Sequence, residues 1–127
     1  MKLSQIKNLF NKTETAETFS KQIASEVSIY KNLVKKKGSS IPIMLDEDIQ
    51  LSIGPEEVYL LCDLFSKNEL TEHEIAYITD AFSLSDKISY TSDRISDLVA
   101  MLTDPEINGG LTYDLANEIM STCRNLR

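Results

Sequence analysis

The stretch GPEEVYLLCDLFSKNELTEHEIAYITDAF, residues 54–82, decides the fold class. Pro55 suits the first position of a helix, where its missing N–H is not needed, and Glu56 and Glu57 suit the positive end of the helix dipole. Val58, Leu61, Cys62 and Phe65 then recur at helical spacing, and Tyr59, Leu60 and Leu64 widen that apolar face, which predicts a central helix. Leu70, Thr71 and Glu74 make a staple and capping box that opens a second helix through Ile75, Ile78 and Phe82. The pair reads as an antiparallel helical hairpin.

The arrangement recurs downstream. Ile95, Leu98, Val99 and Leu102 line one helix, Asp104 to Gly110 turn the chain, and Leu111 with Thr112 opens a last helix through Leu115, Ile119, Met120 and Cys123. The two Leu-Thr openings lie 41 residues apart, near the period of about 40 to 47 residues seen in HEAT-type arrays. Upstream, Leu3, Ile6, Leu9 and Phe10 predict a short opening helix with Ser4 as candidate cap. Ala16, Phe19, Ile23, Val27, Tyr30 and Val34 predict a five-turn helix, with Thr13 or Thr15 as its cap. Lys35, Lys36 and Lys37 precede Gly38, where cations offset the negative end of the dipole.

Between Gly38 and Gly54 the helical period breaks down. Ile41, Ile43 and Leu45, then Ile49, Leu51 and Ile53, alternate around Asp46, Glu47 and Asp48. The alternation leaves room for a minor β-hairpin near residues 41–53; Pro42 weakens a strand, so an extended loop is the other reading. The expectation is an all-α fold, a small helical bundle or short array of antiparallel helix hairpins, with residues 1–127 forming one domain of 14.3 kDa.

At 42% hydrophobic and 26% charged residues, the chain is too apolar to be disordered. No apolar run approaches the roughly 18 to 20 residues of a membrane span, and the opening MKLSQIKNLFNK lacks a signal-type apolar core, so a soluble cytoplasmic protein is expected. Cys62 and Cys123 have neither metal nor redox spacing and read as core thiols. His73 is the sole histidine and has no adjacent nucleophile, and phosphate-binding glycine motifs are missing, so neither an enzyme nor a cofactor is expected. Asp104, Glu106, Asn108, Gly109, Leu111 and Thr112 match positions 1, 3, 5, 6, 8 and 9 of a calcium loop. The bidentate Glu required at position 12 is replaced by Leu115, so the segment reads as an ordinary inter-helix turn.

Charge is unevenly placed. Residues 1–37 carry eight lysines against three glutamates, a balance of +5, whereas residues 38–127 stand at −12. The long acidic part would repel nucleic acid and anionic membranes; one reading is a basic protein partner, and the other is that the net charge simply keeps the domain soluble. Candidate contact residues are Asp46, Glu47 and Asp48, then Glu56 and Glu57, then Glu69, Glu72 and Glu74, with Tyr59 as an anchor and Tyr90 and Tyr113 as further aromatic candidates. Acids at helix starts also offset the dipole, which accounts for part of the set but not for the Asp46 to Asp48 tip.

Leu9 and Phe10, followed by KTETAETFSKQI at residues 12–23, resemble the opening of the colicin D immunity family: a short Leu-Phe helix, a Thr-Ala start, then Phe-Ser and a basic residue. More broadly, a small acidic helical chain resembles the immunity proteins of bacterial contact-dependent growth inhibition and bacteriocin systems. The resemblance implies a cytoplasmic protein that neutralises a cognate toxin domain, often a basic nuclease, by blocking its active-site cleft with acidic side chains. The other reading is an acidic helical adaptor or regulator that binds a basic helix or tail of another protein in a groove between hairpins. The missing twelfth ligand carries a prediction: millimolar calcium should leave the melting temperature unmoved, and an upward shift would restore the calcium loop.

Overall fold

The computed structural model describes residues 1–34, 43–103 and 110–126. In chain order these form α1 (Leu3–Phe10), α2 (Ala16–Val34), β1 (Leu51–Ile53), α3 (Pro55–Ser66), α4 (Glu72–Leu84), β2 (Ile88–Tyr90), α5 (Asp93–Leu102) and α6 (Tyr113–Leu126). The lysine turn at Lys35 to Lys37, Gly38, Ile41, Pro42 and the acidic turn from Asp104 to Gly109 lie outside the described residues.

Capping chemistry explains most of the helix starts. Thr15 Oγ1 accepts the Thr18 N–H at 3.1 Å, so Thr15 rather than Thr13 caps α2. Gly54 precedes Pro55, and Glu57 reaches back to accept the Gly54 N–H at 2.8 Å. Thr71 and Glu74 exchange bonds of 3.2 and 2.8 Å in the expected capping box. Ser92 caps α5 through the Ile95 N–H at 3.3 Å, and Thr112 caps α6 through the Leu115 N–H at 3.1 Å. The opening helix differs: its cap position is Lys2, whose N–H donates to Gln5 at 2.8 Å, and Ser4 lies inside the first turn.

Apolar residues from all six helices and β1 join one core cluster, against which Ile88 and Tyr90 of β2 pack half-buried. α4 is the most enclosed helix, with every residue from Glu74 to Thr79 buried, together with Ala81 and Phe82. α3 packs against α4, α5, α6 and β1, in keeping with the central place that its wide apolar face predicts. The helices are not paired simply in sequence order, because α3 packs most extensively against α6. Arg124 meets Tyr59 at one end of that interface and Tyr113 meets Phe65 at the other, so α3 and α6 run antiparallel.

A ladder of polar contacts sets α2 against α4. The Ser20 hydroxyl donates to Glu74, the Tyr77 hydroxyl donates to Glu26 at 3.1 Å, and the Tyr30 hydroxyl donates to Asp80 at 2.6 Å. The order of these contacts shows that the two helices run the same way. Tyr30 and Tyr77 meet edge to face with ring centres 5.3 Å apart, a favoured aromatic geometry. Glu26 also binds the Met1 ammonium at 2.5 Å, and the Met44 N–H donates to the Tyr77 hydroxyl at 3.1 Å. Burial, followed by the Glu26 charge beside it, pushes the Tyr77 hydroxyl up to about 12.

Of the two readings of residues 41–53, a hairpin and an extended loop, the loop holds for the described residues 43–50, and residues 51–53 enter a parallel pair instead of a hairpin. Leu51, Ser52 and Ile53 of β1 lie opposite Ile88, Ser89 and Tyr90 of β2. The alternation that pointed to a strand is real, since Leu51 and Ile53 are buried and Ser52 is exposed, but its partner lies beyond α3 and α4, which form the crossover.

Replacing Glu74 by Ala removes the acceptor for the Thr71 N–H and leaves the half-buried Ser20 hydroxyl without its carboxylate. The expected loss is about 1–3 kcal/mol of unfolding free energy, measured by chemical denaturation.

Candidate partner-binding surface

The segment Asp46 to Asp48 sits where three elements meet. The Asp46 N–H donates to the Met1 carbonyl at 2.8 Å and its carbonyl accepts the Leu3 N–H at 3.1 Å, forming the Lys2–Asp46 bridge. Asp48 accepts the Ser4 N–H at 3.0 Å and the Ser4 hydroxyl at 2.5 Å. Leu3 and Ser4 occupy the first turn of α1, whose amides have no partner within the helix. The loop therefore caps α1 from outside. Glu47 turns the other way and accepts the Ser85 hydroxyl at 2.5 Å and the Asp86 N–H at 3.2 Å, just past the end of α4.

Three other acids of the expected interface also have internal duties. Glu57 closes the cap of α3, Glu74 is buried at the α2–α4 contact, and Glu72 accepts the Leu111 N–H at 3.3 Å. The carboxylates of Asp46, Glu56 and Glu69 are exposed and make no hydrogen bond or salt bridge among the described residues, although the Glu69 charge acts on Lys67. Tyr59 is half-buried; its hydroxyl accepts Arg124 Nη2 at 3.0 Å, and the guanidinium lies 5.4 Å from the ring centre. Tyr90 is half-buried in β2, whereas Tyr113 is 52% exposed and donates to Asn68 at 2.5 Å.

Five further exposed carboxylates, on Asp86, Asp93, Asp97, Asp114 and Glu118, also have no partner among the described residues. Their signal in the sequence is the i,i+4 spacing of Asp93 with Asp97 and of Asp114 with Glu118, both on the outward side of a helix that buries its apolar side. Lys67 pairs with Asp63 at 3.0 Å, and Arg124 is occupied by Tyr59.

Two open recesses lie beside α1. One, of about 370 Å³, is lined by Lys7, Phe10, Gln50, Leu51, Ser52 and Glu57. The other, of about 260 Å³, shares Phe10 and Glu57 and is lined also by Lys12, Glu56, Tyr59 and Asp63.

The remaining reactive side chains are dispersed. His73 is half-buried in the first turn of α4. Cys62 and Cys123 are buried free thiols on α3 and α6, and burial, with the Cys123 thiol nearby, pushes Cys62 up to about 12. A thiol held there is a poor nucleophile at neutral pH. Of the calcium-loop residues, Thr112 has its hydroxyl taken up as the α6 cap and Leu115 is half-buried against the core. Among the described residues no group of three or more His, Cys, Asp or Glu side chains is arranged to hold a metal. No helix among them is long and apolar enough to cross a membrane. No protein-family model matches the chain, and neither a curated protein nor a solved structure matches it.

The Ser4 hydroxyl beside Asp48 holds its carboxyl below the usual range, against a smaller opposing effect of burial and with help from the Ser4 amide. A depressed folded-state value means stability present above the ordinary carboxylate range and lost as pH falls through the lowered value. Asp48→Asn should therefore lower the melting temperature at neutral pH, and the gap to the unsubstituted chain should close as pH drops below about 4. A gap that stays constant down to acid pH would count against the clasp.

Proposed function

We propose that this chain is an immunity protein: it binds a cognate bacterial toxin domain, a basic nuclease, and occludes the active-site cleft with its acidic surface. The observation that supports this reading is the set of exposed carboxylates, on Asp46, Glu56, Glu69, Asp86, Asp93, Asp97, Asp114 and Glu118, none of which forms a salt bridge among the described residues. A surface of this kind raises the encounter rate with a cationic cleft and repels the phosphate backbone that the cleft would otherwise hold. In this reading the protein works by binding, with no reaction of its own, in the cytoplasm of the cell that it protects. The opening resemblance of residues 9–23 to colicin D immunity proteins points the same way.

The acids divide by task. Glu57, Glu72 and Glu74 hold the fold, Glu47 and Asp48 hold the loop that carries Asp46, and Asp46, Glu56 and Glu69 are left for the partner. The adaptor reading shares the same surface, and the neighbouring reading frame separates the two. An exported protein with a variable C-terminal domain belongs to immunity, and a regulatory operon belongs to an adaptor.

Co-expression with the toxin domain encoded next to this chain should restore growth and yield a stable complex. Changing Asp46 to Asn and both Glu56 and Glu69 to Gln should slow association about tenfold at low salt and flatten its salt dependence, with the melting temperature unchanged. Continued toxicity with every adjacent domain would falsify the immunity reading.

A further inference from the structure

Two tyrosines mark the ends of the α3–α6 interface, and their open faces differ. At one end the Arg124 guanidinium lies 5.4 Å from the centre of the Tyr59 ring and donates to its hydroxyl at 3.0 Å, so the chain supplies the cation for that ring itself. At the other end Phe65 lies against one side of Tyr113, with ring centres 5.3 Å apart, and the Tyr113 hydroxyl donates to Asn68 Oδ1 at 2.5 Å. The Tyr113 ring is held at two points yet is 52% exposed, and among the described residues no cation lies over it.

Acids outnumber cations beside Tyr113. Asp114 follows it in the first turn of α6, and Glu69 follows Asn68; both carboxylates are exposed and form no salt bridge among the described residues. Lys67 pairs with Asp63 at 3.0 Å and also feels the Glu69 charge. Lys21 pairs with Glu17 at 3.4 Å, in a recess of about 420 Å³ that Asn68 and Glu69 also line. Each of these lysines has an acid of its own, so Glu69 and Asp114 remain in excess.

We propose that Tyr113 is the anchor of the partner interface and receives an arginine of the basic partner. The guanidinium stacks over the open side of the ring, as Arg124 does over Tyr59, with the Glu69 and Asp114 carboxylates beside it. A planar guanidinium can stack and donate at once, which an ammonium cannot. A ring fixed by Phe65 and Asn68 loses little freedom on binding, as an interface anchor should. Tyr59, whose face is taken, is then not the anchor. The proposal rests on the reading of the partner as a basic protein and adds which side chain that partner presents, and where.

The probe is a capped Gly-Arg-Gly-Arg-Gly peptide, titrated into the isotope-labelled full chain at low salt and followed by NMR. The expected result is movement of the Tyr113 ring protons together with the Glu69 and Asp114 amides. Citrulline in place of arginine keeps the shape and removes the charge, and should weaken binding at least about tenfold; lysine should weaken it about threefold. Tyr113→Leu keeps an apolar group against Phe65 and should weaken arginine binding about tenfold, with the melting temperature reporting that the fold is intact. Tyr113→Phe, which keeps the ring, should bind within about twofold of the unsubstituted chain. Equal binding by the citrulline or lysine peptide, movement confined to residues away from Tyr113, no binding, or no change in Tyr113→Leu each overturns the anchor. A toxin complex that forms equally well with Tyr113→Leu also overturns it while leaving immunity standing. Failure of co-expression with the peptide docking at Tyr113 removes immunity and leaves the arginine site.

Discussion

Placing Glu74 and the Tyr77 hydroxyl between α2 and α4 constrains the rest of the molecule. Polar groups withdrawn from water must find partners or cost free energy comparable to a lost hydrogen bond. Ser20, Glu26 and Tyr30 answer Glu74, Tyr77 and Asp80 in order along the two helices. A purely apolar seam would tolerate sliding by a turn; this one does not, because a slip would strand each group away from its partner. With α4 fixed against α2, Met44 is held by Tyr77, and the following loop is delivered to α1 and to the end of α4.

Acidic residues consequently do two kinds of work in this fold. Some complete helix ends and others remain uncompensated at the surface. Glu57 and Glu74 are third-position partners in their caps, a role that needs a long acid at one spacing. Glu56 stands one position earlier and makes no such bond, so neighbouring glutamates differ in what they are free to do. The surface charge of the chain is therefore not interchangeable with its acidic content.

The helices were legible because their physics is local. The period of Ile95, Leu98, Val99 and Leu102 and the Leu70-Thr71-Glu74 signature both act within a few residues, and both appear as read. The alternation of β1 was legible but its pairing was not, since a parallel partner lies a crossover away. The role of the Asp46 to Asp48 tip was hidden for a related reason. Its carboxylates answer Ser4 and Ser85, each about 40 positions distant, and nothing in the tip itself announces those partners. Glu72 is alike in this, because the amide it serves belongs to Leu111.

The pairing of α3 with α6 shapes how the molecule comes into being. The apolar side of α3 emerges from the ribosome well before the helix that covers most of it, and β1 likewise precedes β2 by two whole helices. Loop-closure entropy must be met before either contact gives any return, so neither can act as an early local nucleus. The first helices can settle against each other during synthesis, and α3 can pack against α4 and α5, but its largest contact, with α6, waits until nearly the whole described chain has been made. That interval is when this protein is most open to aggregation.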